Sequence, residues 1–151
     1  VMFDRNAPTS IAEVPENAFL RGWALGHSVD EMTQRPSAQK GFLLMAYDIL
    51  EVSLELIAAV KAPLAKLRQH DRNLYEQTKD ATNSILLNSG ESRHRAGKDR
   101  MQLLRIAAGS AGEVTTALRA AEAWGHLNRE DLARSFALLD RLRAMFWRAT
   151  H

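Results

Sequence analysis

Phe42 to Leu67 reads FLLMAYDILEVSLELIAAVKAPLAKL, and its spacing decides the fold class. Leu43, Tyr47, Leu50, Leu54, Ile57 and Leu64 recur every three or four residues, as one face of an α-helix does. Met45, Ile49, Val52, Leu56 and Ala59 follow the same spacing on a second face. Asp48, Glu51, Glu55 and Ala58 form a third, mostly polar stripe. A helix that is apolar on two faces needs partners on two sides. The other helices of one bundle cover one face. Met45, Ile49, Val52 and Leu56 are therefore expected to meet another copy of the chain. Pro63, near the end of the run, is expected to kink its last turn.

Three more helical runs follow. The second, about Asp71 to Gly90, carries Leu74, Thr78, Ala81, Ile85 and Asn88 in register. The third, about Asp99 to Trp124, has Asp99 as expected N-cap and Gly125 as its stop. Met101, Leu104, Ala108, Ala111, Leu118 and Ala121 mark its apolar stripe, and its middle is small (Ala107 to Gly112). A helical Gly costs about 1 kcal/mol against Ala. Gly109 and Gly112 together therefore predict close approach by a neighbouring helix. The fourth run opens at Asn128, with Asp131 completing an approximate capping box, and carries Leu132, Phe136, Leu139, Leu142 or Arg143, and Phe146. No alternating strand pattern and no internal repeat interrupts these runs. Short connections make neighbours antiparallel. The expected fold is all-α, an up-down-up-down antiparallel four-helix bundle over residues 41–151.

Composition fits one domain. Of 151 residues, 46% are hydrophobic and 25% charged, with 20 Lys+Arg against 18 Asp+Glu. The chain has no cysteine, which excludes disulfides, thiolate metal sites and a thiol nucleophile. No apolar run approaches the roughly 18 residues of a membrane helix, and no signal peptide is legible, so a cytoplasmic protein without membrane partners is expected. Residues 1–40 hold three of the four prolines and no sustained period. They read as a flexible or loosely docked extension, with Ala18 to Leu25 able to form a short helix.

Charge is uneven. Arg93, Arg95, Lys98, Arg100 and Arg105 cluster around the connection of the second and third runs, with Asp99 as the one acid among them. An up-down-up-down path brings the end of the fourth helix to the same end, adding Arg141, Arg143 and Arg148. Such an end can track phosphates. No aromatic residue lies between positions 76 and 123, so stacking on bases is not expected there and phosphate contact should dominate.

Catalytic patterns are missing. Glu91-Ser92-Arg93-His94 has the Glu-x-x-His spacing of di-iron bundles, but no second copy exists. There is no nucleophile elbow, phosphate-binding glycine loop or His-Glu-x-x-His. Glu91 and Glu113 stand beside amide or small residues and are expected to bond within the bundle, not to act as an acid–base pair. No enzymatic activity, cofactor or metal is expected.

Asn83-Ser84-Ile85-Leu86-Leu87-Asn88-Ser89-Gly90-Glu91 resembles the Ser-Ile-x-x-Asn-(Ile/Leu)-(Ala/Gly)-Glu-Gly signature of the bacterial four helix bundle protein family, also called the 23S rRNA intervening-sequence protein family. Arg105-Ile106-Ala107-Ala108-Gly109-Ser110-Ala111-Gly112-Glu113 is similar to that family's Ile-Ala-x-Gly-Ser-x-x-Glu block, and Ala120 to Leu127 looks like its turn into the last helix. Ser92 replaces the family's Gly after the glutamate, and Ser89 replaces an apolar residue. The resemblance covers about residues 41–149. It implies a ring-shaped homopentamer without catalytic activity. It also implies similarity to the accessory protein of diversity-generating retroelements, which binds nucleic acid and a reverse transcriptase. Asn88, Glu91, Gly109, Ser110 and Glu113 are then motif residues with a structural role, joining the second helix to the third. Residues 41–151 hold 16 bases and 13 acids, so five copies would carry about +15. Two functions stay open: an oligomeric adaptor that binds RNA or DNA through its basic end, and a scaffold that binds only protein.

Overall fold

A computed structural model describes the backbone of residues 37–151 and the side chains of that range except 37–40 and 42–47. The expectations for residues 1–36, including the short helix at Ala18 to Leu25, and for the side chains of Leu43, Met45 and Tyr47 lie outside the described residues. Four helices follow one another: α1 (Ser37–His70), α2 (Arg72–Ser92), α3 (Gly97–Ala123) and α4 (Arg129–Thr150). No strand occurs among the described residues. Helix α1 begins ahead of the expected start and continues through the buried Pro63 to His70.

The caps explain where the chain turns. Asp71 alone separates α1 from α2, and its carboxylate accepts the Leu74 backbone N–H at 2.9 Å, satisfying one unpaired donor of the first turn. Helix α3 starts two residues before the expected cap. Ala96 is the N-cap and makes no side-chain bond. Gly97 takes the left-handed φ of +54° that lets the chain enter the helix early, which leaves Asp99 inside the first turn. The end of α3 is a Schellman turn. The Gly125 N–H reaches the Glu122 carbonyl and the His126 N–H reaches the Ala121 carbonyl, both at 2.9 Å, around Gly125 at φ +75°. Asn128 caps α4 without a side-chain bond. The expected box does not close, although the Asn128 backbone helps to hold the Asp131 carboxyl below its ordinary value.

Each helix packs on the next and α4 returns to α1, closing a four-helix bundle. The ends of the bundle can be assigned from side chains. Lys66, late in α1, donates to Asp131, early in α4, at 2.8 Å. The rings of His70 and His126 stack beside them at 5.5 Å. At the other end the start of α3 lies against the end of α4, where Arg105, Phe146 and Trp147 line one hollow.

The core corrects the expected assignment of the two α1 faces. Ile49, Val52 and Leu56 are sealed inside the single chain, with Val60, Leu64 and Leu67 continuing their stripe. They are not an outward interface. The face left outside runs through Leu54 and the half-buried Leu50 and Ile57. The reason lies in continuity. The stripe through Ile49 extends to Leu67 and meets apolar rows on three partners, including Ile85, Leu104, Leu118, Leu132 and Phe146.

Helix α2 contributes small polar residues to the core. The Thr78 and Thr82 hydroxyls donate to the carbonyls four residues back, at 2.6 and 2.7 Å, so burial leaves neither unsatisfied. Opposite them α3 presents Ala107, Ser110 and Ala111, all buried. Small residues on both sides make the α2–α3 seam tight.

The Lys66–Asp131 pair gives a signed pH effect. The hydrogen bond from Lys66 is the main cause holding the Asp131 carboxyl below its ordinary value. A carboxylate depressed on folding stabilises the fold above its unfolded value, and that contribution is lost as pH falls through the folded value. Asp131→Asn should therefore lower the melting temperature slightly at pH 7, and the gap to wild type should close well below pH about 3.9. Melting curves across that range check it. A gap that persisted in acid would point to packing instead.

Candidate nucleic-acid interface

The basic end is built by the α2–α3 turn, the first two turns of α3 and the last two of α4. Lys98, Arg100 and Arg105 line a hollow of about 800 Å³ with Gly97 and, from α4, Ala149. A second hollow of about 610 Å³ is lined by Arg105, Arg143, Trp147 and His151. Arg105 is the wall common to both. The helix start adds unpaired backbone N–H groups and the positive end of the dipole, which also favour anions.

The expected cations do not all serve this surface. Arg93 follows the last turn of α2 as its C-cap and is only 8% exposed, so it belongs to the turn's interior. Arg100 donates from Nε to the carbonyls of Ser92 and Arg95, at 3.3 and 2.8 Å, tying the turn together. Burial pulls its guanidinium below the usual value, but an arginine remains a cation at neutral pH. Arg95 is exposed and bound to Glu91 Oε1 at 2.7 Å, and that hydrogen bond raises its own value. Arg143 faces Asp140 at 3.4 Å across solvent, a weak pair. Arg141 and Arg148 are exposed but line neither hollow. Lys98, Arg105 and Arg143 are thus the accessible cations brought to one place, with Arg100 partly committed to structure.

Sequence reasoning missed Trp147. It is 63% exposed and stacks on His151, with ring centroids 5.2 Å apart and planes 14° from parallel. The signal was a spacing of four, since Arg143, Trp147 and His151 fall on one stripe of α4. The bundle carries that stripe against Arg105.

The motif residues divide. The Ser84 and Ser110 hydroxyls bond each other at 2.8 Å across the α2–α3 seam. Asn88 donates to the Ser84 carbonyl at 2.8 Å and to its hydroxyl at 3.2 Å. Both motif blocks meet in this trio. Glu91, Gly109 and Glu113 are exposed instead, which corrects their expected place in the seam. A Cβ added at Gly109 or Gly112 meets nothing within 4 Å, so none of the described helices approaches there. Among the described residues no three His, Asp or Glu side chains are grouped as metal ligands would be.

A third feature is apolar. Between α1 and α2 runs a groove of about 750 Å³ lined by Leu54, Ile57, Ala58, Leu64 and Tyr75 among others. Arg68 and Lys79 each lie 5.8 Å from the Tyr75 ring. No helix among the described residues is long and apolar enough to cross a membrane.

No curated protein and no solved structure gives a significant match to the chain. The family described as 23S rRNA-intervening sequence protein matches residues 46–148, which span all of α2 and α3 and nearly all of α4. The matched range contains the Ser84–Asn88–Ser110 trio, Gly109 and Gly112 of α3 and every cation of the basic end, and the chain belongs to the 23S rRNA-intervening sequence protein family.

Proposed function

We propose that this protein is a non-enzymatic, oligomeric adaptor that binds nucleic acid through the basic end of its bundle. The observation that carries the reading is Arg105 at the junction of two hollows, one with Lys98 and Arg100, the other with Arg143. Cations at both sides of a shared wall can hold successive phosphates of one backbone. The family's own description, with its reference to 23S rRNA, agrees with a nucleic-acid context. Assembly multiplies the footprint. In a homopentamer, five such ends give the avidity that three cations alone lack. The outer row of exposed Leu54 and half-buried Ile57 supports assembly through the α1–α2 face. A retroelement-like role, with a reverse transcriptase as protein partner, belongs to the same reading.

Affinity should be set by phosphate neutralisation. With about three phosphates neutralised per chain, raising salt from roughly 50 to 200 mM should weaken duplex binding about 40-fold. The triple reversal Lys98→Glu, Arg105→Glu and Arg143→Glu should remove binding while leaving helicity intact, because all three side chains are exposed. Arg93 is left alone, since a buried carboxylate there would damage the turn. Mobility shifts at the two salt concentrations check both outcomes. Binding indifferent to salt and to the reversal would move the function to a protein scaffold, with the apolar groove as its contact.

A further inference from the structure

We infer that Trp147 is a base-stacking platform and that the ligand of the basic end is single-stranded nucleic acid. This rests on the nucleic-acid reading above and narrows it to one class. Three features converge on the indole. It is 63% exposed, so a face of the ring is open to a ligand. It is held in a defined orientation by the nearly parallel His151 ring and by its place on α4. It also shares a hollow with Arg105 and Arg143.

The surroundings decide what the partner is. A protein interface is depleted of charge around its apolar centre. Here Arg143, its neighbour Asp140 and, from α3, Arg105 line the same hollow as the indole. An aromatic ring flanked by cations is the combination that single strands use, with bases on the ring and phosphates on the arginines. Paired bases inside a duplex offer only their edges, and a flat indole gains little from them. The platform therefore discriminates strandedness and not sequence, since every base has a stackable face.

Trp124 supplies an internal control. It is still more exposed, but it follows Glu122 at the α3–α4 turn, at the other end of the bundle. Trp124→Ala should change nothing.

The test measures fluorescence anisotropy of the full chain with a labelled mixed-sequence 20-nucleotide single strand, the corresponding duplex, and an abasic strand of equal length. Trp147→Ala should weaken single-strand binding about 10-fold, within the range that one lost stacking contact gives. It should leave duplex and abasic binding within about twofold. Trp147→Phe should recover most of the loss. Circular dichroism confirms that each variant is folded. If wild type binds both nucleic acids and Trp147→Ala alters neither, or weakens all three ligands equally, the stacking proposal is overturned while the nucleic-acid reading stands. If wild type binds none of them, both fall. Loss of duplex and single-strand binding in Arg105→Glu, with Trp147→Ala selective for the single strand, supports both.

Discussion

Leu56→Asp should abolish folding, whereas Leu54→Asp, two positions away on the same helix, should leave the bundle folded and, in the proposed assembly, separate its copies. Leu56 is 0% exposed within the chain and Leu54 is 46% exposed. Truncating a buried leucine costs about 2–5 kcal/mol. An aspartate in its place adds a buried carboxylate with no partner, several kcal/mol more. Against a total stability of about 5–15 kcal/mol, that sum leaves little folded chain. At Leu54 the solvent already reaches the side chain, and an exposed substitution costs about 0.5 kcal/mol or less. Its expected effect lies between chains, because a charge in the apolar α1–α2 face opposes association. Circular dichroism reports the first outcome and light scattering the second. Equal unfolding of both variants would overturn the assignment of the two faces. A Leu54→Asp protein of unchanged particle mass would remove this face as the interface.

The two faces of α1 show how far periodicity carries. The run from Phe42 to Leu67 reveals a helix with two apolar stripes. Which stripe is buried depends on the rows that the other three helices present. Ile49 and Leu56 look no more core-like in isolation than Leu50 and Leu54. The distinction appears only downstream, where Ile49's stripe goes on through Val60, Leu67 and Leu64, which the spacing assigns to the other face, while Leu50's runs beyond Ile57 into Lys61 and Ala65. Reading the stripes to their ends would have separated them.

The stop of α3 is legible at Gly125, because the positive φ of its turn selects glycine, whereas the side-chain caps expected at Asp99 and Asn128 do not form. The start of α3 is set by the left-handed turn at Gly97, which shifts the cap away from the conspicuous Asp99. The basic end divides in a similar way. Lys98, Arg105 and Arg143 gather because the topology brings the start of α3 to the end of α4. Arg93 is lost to the interior because the first residue after a helix turns toward whichever side the next connection takes, and composition carries no record of that. Trp147 is not legible along the segment between positions 76 and 123, which holds no aromatic residue, because the surface is shared with α4.

The small residues of α3 provide the last expected result, because their roles are opposite. Ala111 is fully buried in the α2–α3 seam. Ala111→Leu adds three carbons where Ser84 and Ser110 bond at 2.8 Å nearby, and overpacking of that kind costs about 1–3 kcal/mol or more. Melting should fall by roughly 4 °C for each kcal/mol in a domain of this size. Gly112 lies next to it in sequence but faces open space, as does Gly109. Both sit in helix interior, where alanine is favoured over glycine by about 1 kcal/mol. The double change Gly109→Ala and Gly112→Ala should therefore stabilise a single chain by about 2 kcal/mol and raise its melting temperature by roughly 8 °C. The sequence motif predicts a close neighbour at these glycines, and the described helices provide none. If another copy supplies it, the double variant will melt higher as isolated chains yet lose particle mass in light scattering, and the glycines then mark a contact between copies. If melting rises and mass is kept, the small stripe has no packing role on its outer side. A fall in melting temperature of the isolated chain would contradict the open space that the structure gives these two positions.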